Sequence, residues 1–474
     1  ARNIKIIFTE IFLNIFDVMI SDKLFTYYIN QPYERYLKNN SSVYVRNLTV
    51  EMSNFKGALQ TLITLITESI IIIFITSFLI YIDPIVTFSI FIILAVFSSF
   101  YFFGPINNYL KEWSKKRLFY TNKYTKYLIQ GLASVKEIRV YQSEQEARSD
   151  HYDNKKKVND LTRYLVVLNV IPKNIFEIIT IFLIGGYITY FILNDKELIN
   201  IIPLAGVYLA AAYKILPSLV KIINATNTLK FFKVSIDYIY NELREAKKIY
   251  KDKKINDVSE TFKKLEFKNV SFKYTNSKKK ILNNISLKIQ KGEIIGIKGE
   301  SGSGKSTLIN LMLGLLKPTN GRILVNNKSI EKLNKSWLKT ASYVPQNLFI
   351  TDNNIFKNVG FGKKKSEIDK TKVIKLLKKL RIYKDIKSKG LNKDLGERGA
   401  YFSGGQAQRV VIARALYKNP DIIFLDEATS GLDKRNEQNI FKILLKLKLK
   451  KTLIISSHND HLLNICDYVI ELKS

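Results

Sequence analysis

The fold of this chain is decided by the stretch Gly299-Glu300-Ser301-Gly302-Ser303-Gly304-Lys305-Ser306-Thr307, which matches the pattern G-x-x-x-x-G-K-[ST]. An apolar, strand-like run, Ile294–Ile297, precedes it, and the apolar-rich segment Leu308–Leu316 follows it. A strand, a glycine-rich turn and a helix N-terminus in this order direct consecutive backbone N–H groups at one anion. The stretch predicts a phosphate-binding loop in which Lys305 reaches the β and γ phosphates and Ser306 offers a hydroxyl to Mg²⁺. An ordinary glycine- and serine-rich turn is the alternative, and the flanking apolar segments argue against it.

A second apolar run, Ile422–Leu425, ends in two adjacent carboxylates, Asp426 and Glu427. At the end of a buried strand, Asp426 is suited to hold Mg²⁺ through water, and Glu427 is suited to polarise the attacking water. Short strands alternate with helices from Leu265 onward, a pattern typical of an α/β nucleotide-binding domain. A second glycine-rich helix start predicts a further phosphate contact or a partner molecule. It consists of Ser403, Gly404, Gly405 and Gln406.

Length and composition limit the remaining possibilities. The 474 residues suffice for two or three domains, and 46% of them are hydrophobic, which excludes disorder as the main state. The net charge of +34 suggests nucleic acid or an anionic membrane surface, although lysine is used heavily almost everywhere. The single cysteine, Cys466, rules out an intramolecular disulfide. Because Ala1 is not a natural initiator and an apolar segment follows it at once, we expect the N-terminus to be truncated.

The first half of the chain contains four apolar runs, each near the roughly 20 residues that cross a bilayer as a helix. They form two predicted transmembrane hairpins with short polar turns. The runs are Thr61–Ile82, Ile85–Gly104, Asn174–Leu193 and Ile201–Ile223, and the turns are Asp83-Pro84 and Asn194–Asn200. An earlier segment, Ile4–Ile20, is also apolar but is too short and too mixed to be assigned as a span. Two hydrophobic hairpins of a soluble protein are the alternative.

The distribution of charge predicts the orientation in the membrane. The segment between the hairpins, Lys111–Arg163, is rich in lysine and arginine, whereas Lys196 is the only basic residue of the two turns. Basic loops stay on the cytoplasmic side, so the turns are expected outside and the nucleotide-binding domain in the cytoplasm. The charged stretch Lys247–Glu260 is predicted to be a linker.

The later motifs resemble, residue by residue, the ATPase domain of ATP-binding cassette (ABC) transporters of the exporter type. The resemblance implies that ATP and Mg²⁺ are the cofactors. It also implies that Tyr274 stacks on adenine, that Gln346 and His458 act at the γ phosphate, and that Gln346 joins Ser306 and Asp426 at the metal. The motifs are Phe272-Lys273-Tyr274, Val344-Pro345-Gln346, Gly396-Glu397-Arg398-Gly399, Ser403 to Gln406, Ser430-Gly431-Leu432-Asp433 and His458.

The resemblance predicts the fold class: an α-helical transmembrane domain of the ABC exporter type over residues 1–250, truncated at its N-terminus, and an α/β P-loop ATPase domain over residues 260–474. In this family two ATPase domains close head to tail, and the signature of one, here Ser403 to Gln406, faces ATP on the other. The resemblance places Asp433 in the loop that crosses this interface. Because the chain has one copy of each motif, a second half-transporter is expected as partner, in a homodimer.

Short segments of the first half resemble bacterial lipid-linked oligosaccharide flippases. They are Asn30 to Glu34, Ala212 to Ser218, Lys221 and Ile236 to Tyr240. The expected function is ATP-driven export or flipping of a lipid-linked or amphipathic substrate across the inner (cytoplasmic) membrane, in contact with membrane lipids and without nucleic acid. An exporter of peptide, lipid or drug is the first alternative. A soluble cassette ATPase acting on nucleic acid or ribosomes is the second.

Two lysines of the last span, Lys214 and Lys221, are seven residues apart and therefore share one helix face. A charged side chain inside the membrane must face protein or water. Either the two form a cationic track for an anionic headgroup, or they pair with Glu68 or Glu177, which lie within or beside other spans, or Lys221 snorkels to the membrane surface.

Overall fold

The computed structural model describes residues 2–89, 91–92, 106–193, 198–251, 261–275, 277, 279–333, 335–396, 399–428, 434–445 and 451–472. The chain divides into two compact units. The first comprises Ala1–Gln31 and Arg35–Lys253, and the second comprises Pro32–Glu34 and Lys254–Ser474. The first unit is built from helices, and the second combines two sheets with helices.

The described residues up to Lys251 are helical apart from short connections. The helices are α1 Arg2–Asn30, α2 Tyr33–Lys38, α3 Ser41–Arg46, α4 Met52–Ile82, α5 Ile106–Ala133, α6 Val135–Val140, α7 Glu144–Leu193 and α8 Leu198–Lys251. A π-helical turn, Asn47–Glu51, joins α3 to α4. Residues 84–89 and 91–92 are also helical. At 1.5 Å per residue, α7 and α8 are each about 75–80 Å long, much longer than the hydrocarbon core of a bilayer.

Two segments of the described residues are long and apolar enough to cross a membrane, Ser41–Ile82 and Gly206–Lys247. The first contains the predicted run Thr61–Ile82. The predicted break after this run is present, because Asp83 is extended and its carboxylate accepts a hydrogen bond from the Val86 N–H at 3.1 Å. Most of the run Ile85–Gly104 lies outside the described residues.

The basic stretch Lys111–Arg163 between the predicted hairpins is helical in α5, α6 and α7, since lysine, arginine and glutamate favour helix. Two sequence-based boundaries are shifted, because helices extend further than the apolar runs. Helix α8 begins at Leu198, so the last three residues of the predicted turn Asn194–Asn200 are helical, and the first four lie outside the described residues. The predicted linker Lys247–Glu260 begins as the last turn of α8, which ends at Lys251.

The second unit has two sheets. Its strands are β1 Lys264–Phe272, β2 Leu282–Gln290, β3 Ile294–Gly299, β4 Asn320–Val325, β5 Lys328–Ser329, β6 Ala341–Val344, β7 Ile422–Asp426, β8 Thr452–Ser456 and β9 Tyr468–Leu472. One sheet is antiparallel, in the order β2-β1-β4-β5, and the other is parallel, in the order β6-β7-β8-β3-β9. Strands β7 and β8 are fully buried, as continuous apolar runs in a parallel sheet predict.

Helices connect the strands of the second unit. They are α9 Lys305–Met312, α10 Ile330–Leu333, α11 Lys335–Thr340, α12 Ile355–Val359, α13 Lys370–Lys379, α14 Tyr383–Lys389, α15 Gly404–Tyr417, α16 Lys434–Leu445 and α17 Asp460–Leu463. Helix α17 packs closely on β3, where a Cβ on Gly296 would lie 2.8 Å from the Leu463 side chain. Because the strands of this sheet are parallel, their carboxyl ends lie at one edge of the sheet, where α/β proteins bind their ligands.

In the first unit, a buried carboxylate joins the two membrane-spanning candidates. Glu68 of α4 is 7% exposed, and its Oε1 lies 2.7 Å from the Lys221 ammonium of α8. Its Oε2 accepts a hydrogen bond from the Ser218 hydroxyl at 2.7 Å. Of the two alternatives for Lys221, the structure has the ion pair with Glu68. Glu177 pairs with Lys173 of its own helix at 3.7 Å, and the side chain of Lys214 is exposed.

Lys221→Ala should lower the stability of the protein, because it leaves the buried carboxylate of Glu68 without its cation. We expect a loss of about 1–3 kcal/mol, seen as a lower midpoint of thermal unfolding in detergent. A second change, Glu68→Gln, should restore most of the loss. Lys214→Ala is the matched control, because Lys214 lies two turns away on the same helix and acts on Glu68 only at longer range, without the hydrogen-bonded ion pair that Lys221 makes. An equal loss in both lysine variants would contradict a specific ion pair.

Candidate nucleotide-binding site

The predicted phosphate-binding loop lies between β3 and α9, and its backbone requires glycine. Gly302 and Gly304 have φ angles of +88° and +98°, in the left-handed region that L side chains rarely adopt. A Cβ on Gly304 would also lie 2.8 Å from the Ile281 side chain. Helix α9 begins directly after Gly304, so its free N–H groups lie at the end of the loop.

The lysine of the loop is buried and surrounded by acceptors. Lys305 is 6% exposed, and its ammonium donates hydrogen bonds to the carbonyls of Gly299 at 2.8 Å and Glu300 at 3.2 Å. The same nitrogen lies 2.9 Å from Nε2 of His458 and 3.4 Å from Oε1 of Glu427. The lysine is thus held at a fixed point beside the loop by four groups from three parts of the chain.

Three residues predicted as site residues converge on the carboxylate of a fourth, Glu427. Its Oε1 is near Lys305 and lies 3.2 Å from Nε2 of His458. Its Oε2 accepts a hydrogen bond from the side-chain amide of Gln346 at 2.7 Å. These four residues are far apart in sequence, and the carboxyl ends of the parallel strands bring them together. Their individual roles stay predictions.

Two residues that the sequence reasoning missed fix the adjacent carboxylates. The Ser456 hydroxyl donates to Oδ1 of Asp426 at 2.7 Å and accepts from the Glu427 N–H at 3.0 Å. The Tyr343 hydroxyl donates to Oδ2 of Asp426 at 3.3 Å. Burial, with the nearby carboxylate of Asp426, raises the pKa of Tyr343, so its hydroxyl stays a donor. The available signal for Ser456 was a hydroxyl at the end of an apolar run, two residues before His458.

The backbone at Glu427 also differs from that of an ordinary strand end. Its φ angle is +46°, in the left-handed region that non-glycine residues seldom occupy. The chain therefore turns sharply after Asp426, so that two adjacent carboxylates lie in different surroundings. Asp426 is 2% exposed, whereas the side chain of Glu427 is 18% exposed.

The predicted adenine partner, Tyr274, lies against the first helical turn after the loop. Its hydroxyl is 3.2 Å from that of Thr307, and its ring contacts the ring of Phe272 edge-on, with centroids 4.9 Å apart. Tyr274 is therefore held at both its ring and its hydroxyl. Stacking on adenine stays a prediction.

The signature segment forms the N-terminus of α15. The Ser403 side chain caps the helix by accepting from the Gln406 N–H, and the Gln406 side chain accepts from the Ser403 N–H in return. Gln406 also donates to Asp385 at 3.2 Å. These contacts involve α14 and not the group around Glu427. Asp433 lies outside the described residues, as do the other residues of its motif and Glu397 with Arg398 of the preceding one.

The residues present fit a magnesium nucleotide. The Ser303 hydroxyl is buried inside the loop, where no hydrogen-bond partner for it occurs among the described residues. A Cβ on Gly299 would lie 2.4 Å from that hydroxyl, so the cradle leaves no room for a larger residue. The hydroxyl of Ser306, the amide of Gln346 and the carboxylate of Asp426 are oxygen donors of the kind that Mg²⁺ prefers.

Comparison with known proteins agrees with this geometry. A family model described as "ABC transporter" matches residues 282–430. A protein of Rickettsia typhi named as an export ATP-binding/permease protein is 39% identical over 209 residues, which are 44% of this chain and 36% of that protein. ATP-dependent lipid A-core flippase 2 of Colwellia psychrerythraea is 36% identical over 225 residues, which are 46% of this chain and 37% of that protein. The matches thus span little more than a third of these relatives.

The fold of the chain also has a solved counterpart. The structure of a bacterial Atm1-family ABC exporter with ATP bound aligns with 99% of this chain and 82% of its own chain. The TM-score is 0.79 and the sequence identity is 21%, so this likeness concerns the fold. The second unit is an ABC transporter ATP-binding domain, as predicted. Residues 282–430 thus match the ABC transporter family, and the chain has the fold of an ABC exporter.

Tyr274→Ala should weaken binding of ATP. Stacking of an aromatic ring on a base contributes about 1–3 kcal/mol, which corresponds to roughly one to two orders of magnitude in Kd. Tyr274→Phe keeps the ring and loses only the contact with Thr307, so it should change Kd by less than about threefold. Equilibrium binding of a fluorescent ATP analogue measures both variants. Equal losses in the two would show that the hydroxyl matters and that stacking is the wrong account.

Proposed function

We propose that this chain is one half of an ATP-driven exporter or flippase that moves a lipid-linked or amphipathic substrate across the cytoplasmic membrane. The observation that carries the proposal is the convergence of Lys305, Gln346 and His458 on the carboxylate of Glu427 beside the phosphate-binding loop. The second support is a helical unit whose candidate spans are long enough to cross a bilayer.

In the proposed reaction, the loop N–H groups and Lys305 bind the phosphates. Ser306, Gln346 and Asp426 would hold Mg²⁺, which would neutralise phosphate charge. Glu427 accepts a hydrogen bond from the attacking water and orients it toward the γ phosphate. His458 donates to the same phosphate. Ser456 and Tyr343 hold the carboxylate of Asp426 in position. In the proposal, Asp426 therefore stays at the metal while Glu427 orients the water.

The proposed exporter is a dimer. The signature at Ser403 forms a capped helix start whose described contacts are with α14, separate from the group around Glu427. In the proposed homodimer, the signature of one chain faces the nucleotide on the phosphate-binding loop of the other. ATP then favours the closed dimer, and hydrolysis removes the contacts that depend on the γ phosphate.

For the substrate, we propose a lipid-linked oligosaccharide. The segments that resemble flippases support this choice, and the exposed Lys214 offers a cation for an anionic headgroup. Lys221 is the weaker candidate because Glu68 already neutralises it. Export of a peptide, another lipid or a drug is the alternative, and a flipping assay in proteoliposomes with a panel of lipid-linked sugars separates the two.

A soluble ATPase acting on nucleic acid or ribosomes would account for the basic charge of the chain, but it gives no role to the exposed apolar surface of α4. Ile73, Phe74 and Phe78 of this helix are 64%, 73% and 59% exposed. Exposed apolar side chains on a span-length helix suit contact with lipid. Recovery of the intact chain in the soluble fraction without detergent would support the soluble alternative.

Glu427→Gln should abolish turnover while ATP still binds. The amide keeps the shape and most hydrogen bonds of the carboxylate but cannot polarise water, so we expect the hydrolysis rate to fall at least about 100-fold. The Kd for ATP should stay within about threefold of the wild-type value. Phosphate release and equilibrium binding on the detergent-solubilised chain measure the two effects.

The matched control for this variant is Glu471→Gln, which makes the same change at an exposed glutamate of β9 in the same sheet. It should leave both the hydrolysis rate and the binding constant unchanged. Hydrolysis at the wild-type rate by Glu427→Gln would remove Glu427 from the proposed mechanism.

A further inference from the structure

An arginine on the signature helix α15 is bonded to the segment that follows Gln346. Arg414 Nε donates to the Asn358 carbonyl at 2.8 Å, and its Nη2 donates to the Asn358 side chain at 3.2 Å. Its Nη1 donates to the Phe349 carbonyl at 2.9 Å. The guanidinium also lies 4.8 Å from the ring centroid of Phe361. One side chain thus spans two points of the segment 349–361.

The acceptor, Asn358, closes the same segment on itself. It is fully buried, and its side-chain amide donates to the carbonyls of Thr351 at 3.0 Å and Asn353 at 2.9 Å. Its side-chain oxygen accepts from the Thr351 N–H at 2.9 Å. A buried side chain that satisfies several backbone groups at once fixes the path of the chain around it. The segment, which includes α12, is therefore rigid, and Arg414 attaches it to α15.

This attachment connects two parts of the candidate site. The segment begins three residues after Gln346, whose amide donates to Glu427. Helix α15 begins at the signature, where Ser403 forms the cap. Arg414 and this segment thus form a bonded connection from α15 to the residues that follow Gln346. Burial lowers the pKa of Arg414 to about 10, so the guanidinium stays charged at neutral pH.

A second arginine of α15, Arg409, has different bonding partners. Arg409 is buried and also donates to backbone carbonyls, those of Gly405 at 3.2 Å and Arg381 at 3.1 Å. These acceptors lie in α15 itself and in the turn between α13 and α14. Arg409 thus resembles Arg414 in burial and in the type of its bonds, but its described bonds do not reach the segment after Gln346.

We propose that Arg414 is a positioning residue for ATP hydrolysis, which acts through Asn358 and the loop after Gln346 to couple the signature helix to the carboxylate of Glu427. This inference rests on the proposed function. The planar fork of arginine holds two separate acceptors, whereas the single ammonium of lysine cannot reproduce this geometry. Arg414→Lys should therefore loosen the attachment while it keeps the charge.

The test is a double-mutant cycle on the full chain in detergent, with kcat and KM for ATP hydrolysis as readouts. Arg414→Lys alone should lower kcat about tenfold and change KM for ATP less than about twofold, because the phosphate-binding loop is untouched. In a Gln346→Ala background, the same change should lower kcat less than about 1.5-fold, since its route to Glu427 is already cut. Arg409→Lys is the control and should show no such dependence on Gln346.

A milder variant covers the case in which Arg414→Lys does not fold. Thr351→Val keeps the size of the side chain and removes its hydrogen bond to Asn358. It should lower kcat about threefold in the wild-type background and leave it unchanged in Gln346→Ala. Equal kcat losses with and without Gln346 would overturn the proposal. A wild-type chain that does not hydrolyse ATP would instead overturn the proposed function, and the inference with it.

Discussion

The second unit depends on one buried positive charge. The Lys305 ammonium is almost completely removed from water, and a buried charge is tolerated only when it is paired and hydrogen-bonded. Two carbonyls of its own loop, the carboxylate of Glu427 and the ring of His458 meet this requirement. To supply these partners, the ends of β3, β7 and β8 must lie side by side.

The parallel sheet brings the ends of β3, β7 and β8 together. In the order β6-β7-β8-β3-β9, the phosphate-binding loop follows β3. Strand β8 lies between β3 and β7. Ser456 at the end of β8 contacts both Asp426 and Glu427, and His458 follows two residues later. Position 427 also turns into the left-handed region, which directs its carboxylate away from that of Asp426. Hydrogen-bond donors held in fixed positions, such as Lys305 and His458 here, can stabilise charge that develops during a reaction without reorganising first.

Much of this arrangement could be predicted from the sequence, because its signals are local. The glycines of the loop, the acids after Leu425 and the alternation of strands and helices are readable in short windows. Contacts between residues that are far apart in the sequence cannot be predicted in this way. Nothing local distinguished Glu68 from Glu177 as the partner of Lys221, and nothing assigned the hydroxyls of Ser456 and Tyr343 to Asp426. The helices run past their apolar cores because charged residues support helix as well as apolar ones do, so hydropathy alone misplaced their ends.

Binding of a non-hydrolysable ATP analogue with Mg²⁺ to two lysine variants tests the account most directly. Lys305→Ala removes the buried ammonium. Lys298→Ala removes an exposed ammonium near the end of β3, the strand before the loop, where it is paired with Asp460 at 2.8 Å. The account predicts a Kd about 10–100-fold higher for Lys305→Ala, since a hydrogen bond to a charged group contributes about 1.5–3 kcal/mol. It predicts an unchanged Kd for Lys298→Ala. Equal affinity in both variants would contradict the claim that the buried charge of Lys305 organises a phosphate site.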